Sequence, residues 1–352
     1  MSIPTIMGIT PKTITSDRIT TRVLFSGPED GIPVFLIHGN TSSATWWEEI
    51  MISLPTGYRG IAPDQRGFGD ADLEKKINAT RGMGDLADDA VALLDHLGIE
   101  KAHIVGNSLG GNVVWRMLAD CPGRFISATL ADPGSPYGYG ATRDIEGTPT
   151  TPDFAGSGAG LSNPESIQRI IDGDRSTESQ FSPRLVLRTL LVKPPFIPTR
   201  EEELLSALLS THMGEKDQPG DSVQSPNWPF VAPGVWGARN ALSPKYVVNV
   251  KRIMTSEPKT RVLWVRGSHS LLVSDTSIAD PGILGKMELL PGWPGEDVYP
   301  PQPMIGQIRA VLDSYAAAGG SFEEIVIQDT GHIPFIEKPE EFNAIFHEHI
   351  LQ

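Results

Sequence analysis

Ala102-His103-Ile104-Val105-Gly106-Asn107-Ser108-Leu109-Gly110-Gly111-Asn112-Val113-Val114-Trp115 decides the fold. An apolar, β-branched run leads into Gly106-Asn107-Ser108-Leu109-Gly110, and Val113, Val114, Met117 and Leu118 then recur at helical spacing. Strand, Gly-x-Ser-x-Gly and helix in that order form a nucleophile elbow. The serine must sit on a strained turn so that its hydroxyl stands above the sheet, which leaves room only for small neighbours. The helix that follows aims its free N–H groups at the place where negative charge would develop.

With 352 residues the chain can form one large domain carrying a sizeable insertion. A net charge of −14 argues against nucleic acid and anionic membranes as partners. Cys121 is the single cysteine, so no internal disulfide is possible. Met1 to Thr10 has no basic segment followed by an apolar core, and no apolar run approaches the roughly 18 residues of a membrane span. A cytoplasmic protein is expected, either a monomer or a homodimer.

Working outward from the elbow, Ile9–Thr15 and Ile19–Phe25 alternate apolar and polar residues around Ser16-Asp17-Arg18, which predicts a hairpin at a sheet edge. Val34–Ile37 is a continuous apolar run that ends in His38-Gly39-Asn40. A helix is predicted over Ala44–Leu54, a strand over Arg59–Pro63 and a helix over Gly82–Leu97 stopped by Gly98. Beyond the elbow helix, Phe125–Ala131 reads as a strand that delivers Asp132-Pro133 at its end. From Gly134 to about Pro258 the texture is Gly-, Pro- and Ser-rich. Its amphipathic stretches (Pro164–Asp172, Pro183–Leu191, Glu201–Met213) predict a helical cap without a good strand, and Gly156–Gly160 reads as a flexible loop. Strand character returns at Arg261–Arg266. An irregular excursion over Asp275–Pro303 and a helix over Met304–Ala317 follow. The last strand, Glu324–Ile327, leads to Asp329-Thr330-Gly331-His332, and a final helix follows Pro339. Strands alternating with helices imply an α/β chain with a mostly parallel, doubly wound sheet and an inserted helical cap. Its parts are a core over 1–133, the cap over 134–258 and the rest of the core over 259–352.

A serine hydroxyl needs a base, and His332, on the loop after the last strand, is placed to serve. The histidine in turn needs a carboxylate to fix its tautomer. Asp132 is the stronger candidate; Asp275 competes, but comes several residues after the end of its strand. Ser108, Asp132 and His332 preserve the order nucleophile, acid, histidine. The oxyanion donors would be the backbone N–H groups of Leu109 and Asn40. The Asn40 side chain either adds its amide or holds the loop. Asp64 and Arg66 read as loop ties. Tyr137, Trp228, Phe230 and Trp236 are expected to wall an apolar substrate pocket. No metal or other cofactor is required.

These motifs resemble the α/β-hydrolase superfamily throughout the chain outside the cap: His38-Gly39-Asn40, Asp64-Gln65-Arg66-Gly67-Phe68-Gly69, Gly106–Gly111 and Gly331-His332. An acid 24 positions after the nucleophile (132 − 108) also resembles the haloalkane dehalogenases. Those use an aspartate followed by tryptophan where this chain has Ser108-Leu109. A serine with its acid after the sixth strand resembles the lactonases that open zearalenone. Gly-Asn-Ser-x-Gly-Gly is similar to the C–C hydrolases of aromatic ring degradation, which place the acid one strand later, where this chain has Gly267-Ser268-His269. The resemblance implies a cofactor-free serine hydrolase of a medium-sized ester or lactone acting through an acyl-enzyme. The alternatives are a C–C bond hydrolase and a ligand receptor on the same fold.

Overall fold

A computed structural model describes residues 3–247 and 250–352. Eight strands form one sheet, ordered β1 (Thr10–Thr15), β2 (Thr20–Ser26), β4 (Tyr58–Pro63), β3 (Ile32–Ile37), β5 (Ala102–Ser108), β6 (Phe125–Pro133), β11 (Arg261–Gly267) and β12 (Phe322–Ile327). β1 and β2 pair as the expected edge hairpin, β2 runs antiparallel to β4, and every later pairing is parallel. Parallel strands bring their C-terminal ends to one edge, and that edge is where an α/β sheet builds its sites.

The central strands β3, β5, β6 and β11 bury apolar residues on both faces, so successive residues feed two separate cores. Phe35, Ile37, Ile104, Leu130 and Trp264 pack with α2 (Gly84–His96), α3 (Leu109–Asp120) and α10 (Met304–Ala317). Val34, Leu36, Val105, Ala131 and Leu263 face the other way. They meet α1 (Glu48–Ser53), α11 (Pro334–Glu337) and α12 (Pro339–Leu351) through Ile50, Met51, Phe335, Phe342 and Phe346. The Trp47 and Phe335 rings stack at 4.3 Å within that second core.

Between β6 and β11 the chain is less helical than its pattern predicts. Helices α4 (Pro164–Ile171), α5 (Pro183–Val186), α6 (Glu201–Leu209), α7 (Ala238–Ala241) and α8 (Val250–Thr255) are short. They are interleaved with two small sheets, β7 (Met213–Gly214) with β8 (Gln218–Pro219) and β9 (Ser222–Gln224) with β10 (Val231–Pro233). Frequent proline and glycine cut the helices, and two- and three-residue strands leave no alternating pattern to read. Gly156–Gly160 is no free loop: Gly156 N–H donates to Val231 O at 2.9 Å and Ala159 N–H to Asn240 Oδ1 at 2.9 Å. The segment docks on the core, where His212 N–H donates to Gly67 O at 3.0 Å and Gly69 N–H to Ser210 O at 3.1 Å. The second excursion carries a helix the pattern conceals, α9 (Pro281–Lys286), whose N-cap Asp280 accepts from Ile283 N–H. Among the described residues no helix is long and apolar enough to cross a membrane.

Candidate active site

Ser108 ends β5 and caps α3 with φ +53° and ψ −117°, a left-handed conformation costly for any residue with a Cβ. The turn closes because its neighbours are glycines. A Cβ on Gly110 would stand 2.3 Å from Ile37 O, and one on Gly106 would stand 2.3 Å from Gly110 O. Asp132, at the end of β6, is also left-handed at φ +45° and wholly buried. Thr41, in the loop after β3, has φ +47°. Three strained non-glycine residues thus gather at the C-terminal edge of the sheet.

Asp132 and His332 are brought together: His332 Nδ1–H donates to Asp132 Oδ2 at 2.8 Å, both side chains almost sealed. Burial pushes the Asp132 carboxyl up, against the hydrogen bond and charge of His332 and a hydrogen bond from Ser270. The Ser270 hydroxyl also lies 3.4 Å from His332 Nδ1. Ser270 follows β11, where the sequence offers no acid, and its contact with the pair carries no sequence signal. Asp275 is elsewhere, exposed at the start of α10, where it accepts from Ile305 N–H at 2.7 Å.

Asn107, also missed by sequence reasoning, fastens three elements. Its Nδ2–H group donates to Ala131 O at 2.8 Å and to His332 O at 3.4 Å. The loop of His332 is further held by its own N–H, which donates to Leu191 O at 2.8 Å, and by Glu337. Glu337 accepts from Gly331 N–H at 2.6 Å and Lys193 N–H at 2.7 Å, and burial pushes its carboxyl up to about 7.

The His38-Gly39-Asn40 loop lies against the serine. A Cβ on Gly39 would stand 3.2 Å from Ser108 Cβ and 2.8 Å from Asn107 Oδ1. His38 holds this loop. Its Nδ1 is 2.8 Å from Gly39 O, and its Nε2 accepts from Gln65 N–H at 3.0 Å. Burial lowers His38 to about 4, so the ring is neutral with its proton on Nδ1. Asn40 makes no side-chain hydrogen bond of its own among the described residues, and its Oδ1 is unpaired. Asp64 and Arg66 tie loops, through Arg22 at 2.9 Å and Asp89 at 2.7 Å.

The aromatic candidates are scattered. Trp228 is buried in a small cluster with Ala141 and Tyr299, its Nε1–H donating to Pro291 O at 2.9 Å. Trp236 is half-buried, with the Lys216 ammonium 5.1 Å from its ring centre. Phe230 is 60% exposed. Tyr137 packs at the margin of the first core. None of them makes a hydrogen bond or ring contact with Ser108, Asp132 or His332. Among the described residues no group of three or more His, Cys, Asp or Glu could hold a metal ion.

Residues 32–151 match the α/β-hydrolase fold family. An uncharacterized carboxylesterase of Bacillus subtilis, Nap, is 35% identical over 117 residues, 33% of this chain and 38% of that protein. A 2-hydroxymuconate semialdehyde hydrolase of Pseudomonas sp. CF600 is 38% identical over 97 residues, 27% of this chain and 34% of that protein. The chain thus spans about two fifths or less of these curated relatives. Over nearly its whole length it superposes on a serine hydrolase of Cycloclasticus zankles, with TM-score 0.59 and 18% identity, covering 97% of this chain and 98% of that one. A strained serine at a sheet edge, a hydrogen-bonded histidine–aspartate pair at that edge, the family match over residues 32–151 and this whole-chain likeness agree: the chain has the α/β-hydrolase fold.

Proposed function

We propose that the protein is a cofactor-free serine hydrolase that cleaves a carboxylic ester or lactone through an acyl-enzyme. The observation that carries this reading is the 2.8 Å hydrogen bond from His332 to Asp132 at the sheet edge where Ser108 is held left-handed. With Nδ1–H committed to Asp132, Nε2 of His332 is the free base. It takes the Ser108 proton as Oγ attacks the carbonyl carbon. The carbonyl oxygen becomes an oxyanion held by the N–H groups of Leu109 and Asn40. Collapse expels the alkoxide, protonated by the His332 imidazolium. A water deprotonated by the same nitrogen then attacks the acyl-enzyme, releasing the acid and restoring Ser108. The similarity to an uncharacterized carboxylesterase over a third of the chain supports ester chemistry. Residues 134–258 would cap the site over a small-molecule substrate, with Tyr137, five residues beyond Asp132, in the pocket wall.

A second reading, hydrolysis of a C–C bond, is favoured by the similarity to the semialdehyde hydrolase. A panel of chromogenic esters, lactones and 2-hydroxy-6-oxodienoates separates the two. Ester or lactone turnover by wild type, lost in Ser108→Ala, is expected. Turnover that survives Ser108→Ala would overturn the serine mechanism, and turnover of the dienoates alone would select the second reading.

A further inference from the structure

Arg239 is a cation with no counter-charge among the described residues. It lies in α7, whose other residues Ala238, Asn240 and Ala241 are sealed from solvent. Asn240 fixes that helix, accepting from Ala159 N–H at 2.9 Å and donating to Asp221 O at 2.7 Å and Trp236 O at 2.6 Å. Arg22, Arg66 and Arg184, also largely buried, each have a carboxylate: Asp64, Asp89 and Glu201. Arg239 forms no ion pair among the described residues. Its guanidinium, with five N–H donors, makes one hydrogen bond among the described residues, Nη1–H to Ser162 Oγ at 3.1 Å.

Its surroundings lead back to the catalytic pair. The Tyr139 phenol, itself deep in the protein, lies within electrostatic range of Arg239. Tyr139 O–H bonds Leu272 O at 3.1 Å and Ser277 Oγ at 2.7 Å. Leu272 is two residues from Ser270, whose hydroxyl is 3.4 Å from His332 Nδ1. Burial pulls the guanidinium pKa down, yet none of its unpaired nitrogens is closed to water, and Arg239 and Tyr139 both keep some accessible surface. Arg239 is thus deep and still within reach of water. A deep charge held without a counter-charge is unfavourable, so a ligand anion is the natural complement. Arginine suits a planar one, because it stays charged and presents a two-toothed fork.

We infer that Arg239 binds a carboxylate on the substrate, so that the enzyme favours esters or lactones bearing a carboxylate remote from the scissile bond. The inference rests on the ester-hydrolase reading for its chemistry, and the test separates the two. Mono-4-nitrophenyl adipate and its methyl ester share an acyl chain and differ in one charge. Wild type is expected to prefer the free acid at least 10-fold in kcat/KM. Arg239→Met and Arg239→Gln should each erase that preference, chiefly through KM, while Arg239→Lys keeps part of it. A wild-type preference for the methyl ester, or a preference unchanged in either folded variant, overturns the inference. If neither ester turns over in a Ser108-dependent way, it is the hydrolase reading that fails. The subsite is then judged on Ser108→Ala by calorimetry. Binding of monomethyl adipate but not dimethyl adipate, lost on adding Arg239→Met, supports it; equal binding of the two, or none, overturns it.

Discussion

His332 Nδ1 and Asp132 Oδ2 lie 2.8 Å apart across 200 residues of sequence. The contact exists because β6 and β12 flank β11 and end at the same edge. Asp132→Asn replaces a charge by an amide of equal size, which leaves the imidazolium unsupported and admits the wrong tautomer. We expect kcat to fall roughly 10³- to 10⁴-fold with the fold intact. Asp275→Asn loosens only the start of α10, at a cost of about 1 kcal/mol or less, and should leave turnover near wild type. Steady-state kinetics on the best ester of the panel checks both. A full loss with Asp275→Asn and none with Asp132→Asn would mean the acid is misassigned.

Two glycines separate steric need from conformational need. Gly98 ends α2 at φ +68° with nothing within 4 Å of where a Cβ would stand, so Gly98→Ala costs only the left-handed strain, about 1–2 kcal/mol. Gly110 has an ordinary φ, but its Cβ would lie 2.3 Å from Ile37 O and 2.6 Å from His38 O. Neither backbone oxygen can yield without moving β3, so Gly110→Ala should cost about 3 kcal/mol or more. Urea denaturation ranks them, and equal losses would show that the elbow has slack.

Which features the sequence reveals follows from how local their causes are. The elbow is legible because glycines, serine and helix onset sit within ten residues, and Asp132 because it ends an unmistakable strand. Asn107, Ser270 and Glu337 are ordinary polar residues whose work is done on partners brought near by the sheet. Asn107 reaches His332 across 225 residues and Ser270 reaches it across 62. The surroundings of Trp228 are hidden for a related reason: hydrophobicity predicts that it is buried, but not that Tyr299, from the second excursion, packs against it. Helix α9 hides because its six residues lie in a stretch dominated by Pro and Gly, although Asp280-Pro281 is a good start signal.

The buried histidines make the protein sensitive to acid. Burial holds His38, His103 and His349 each at about 4, against 6.5 when unfolded. The unfolded chain therefore binds more protons between those values, and stability drops as pH falls from about 6.5 toward 4. The limiting slope is about 1.4 kcal/mol per pH unit for each histidine. Thermal melts from pH 4.5 to 6.5 should show Tm rising with pH, and His103→Gln should flatten the rise. A Tm independent of pH over this window would mean these rings are not neutral in the native state.

Glu337 works in the opposite direction. Its folded pKa of about 7 lies above the ordinary 4.5, so the neutral acid is the form the fold favours. Stability from this group is complete below about pH 4.5 and declines as pH rises to about 7, where the native carboxyl ionises in its buried site. Glu337→Gln removes that decline. It also leaves one acceptor for two backbone N–H groups, those of Gly331 and Lys193, a loss of about 1–3 kcal/mol at every pH. The variant should therefore be less stable than wild type at pH 4.5, and the gap should narrow steadily by pH 7.5. Paired denaturation curves at the two pH values measure the gap directly. A gap that widens with pH would mean that Glu337 is ionised throughout and holds the His332 loop as a carboxylate.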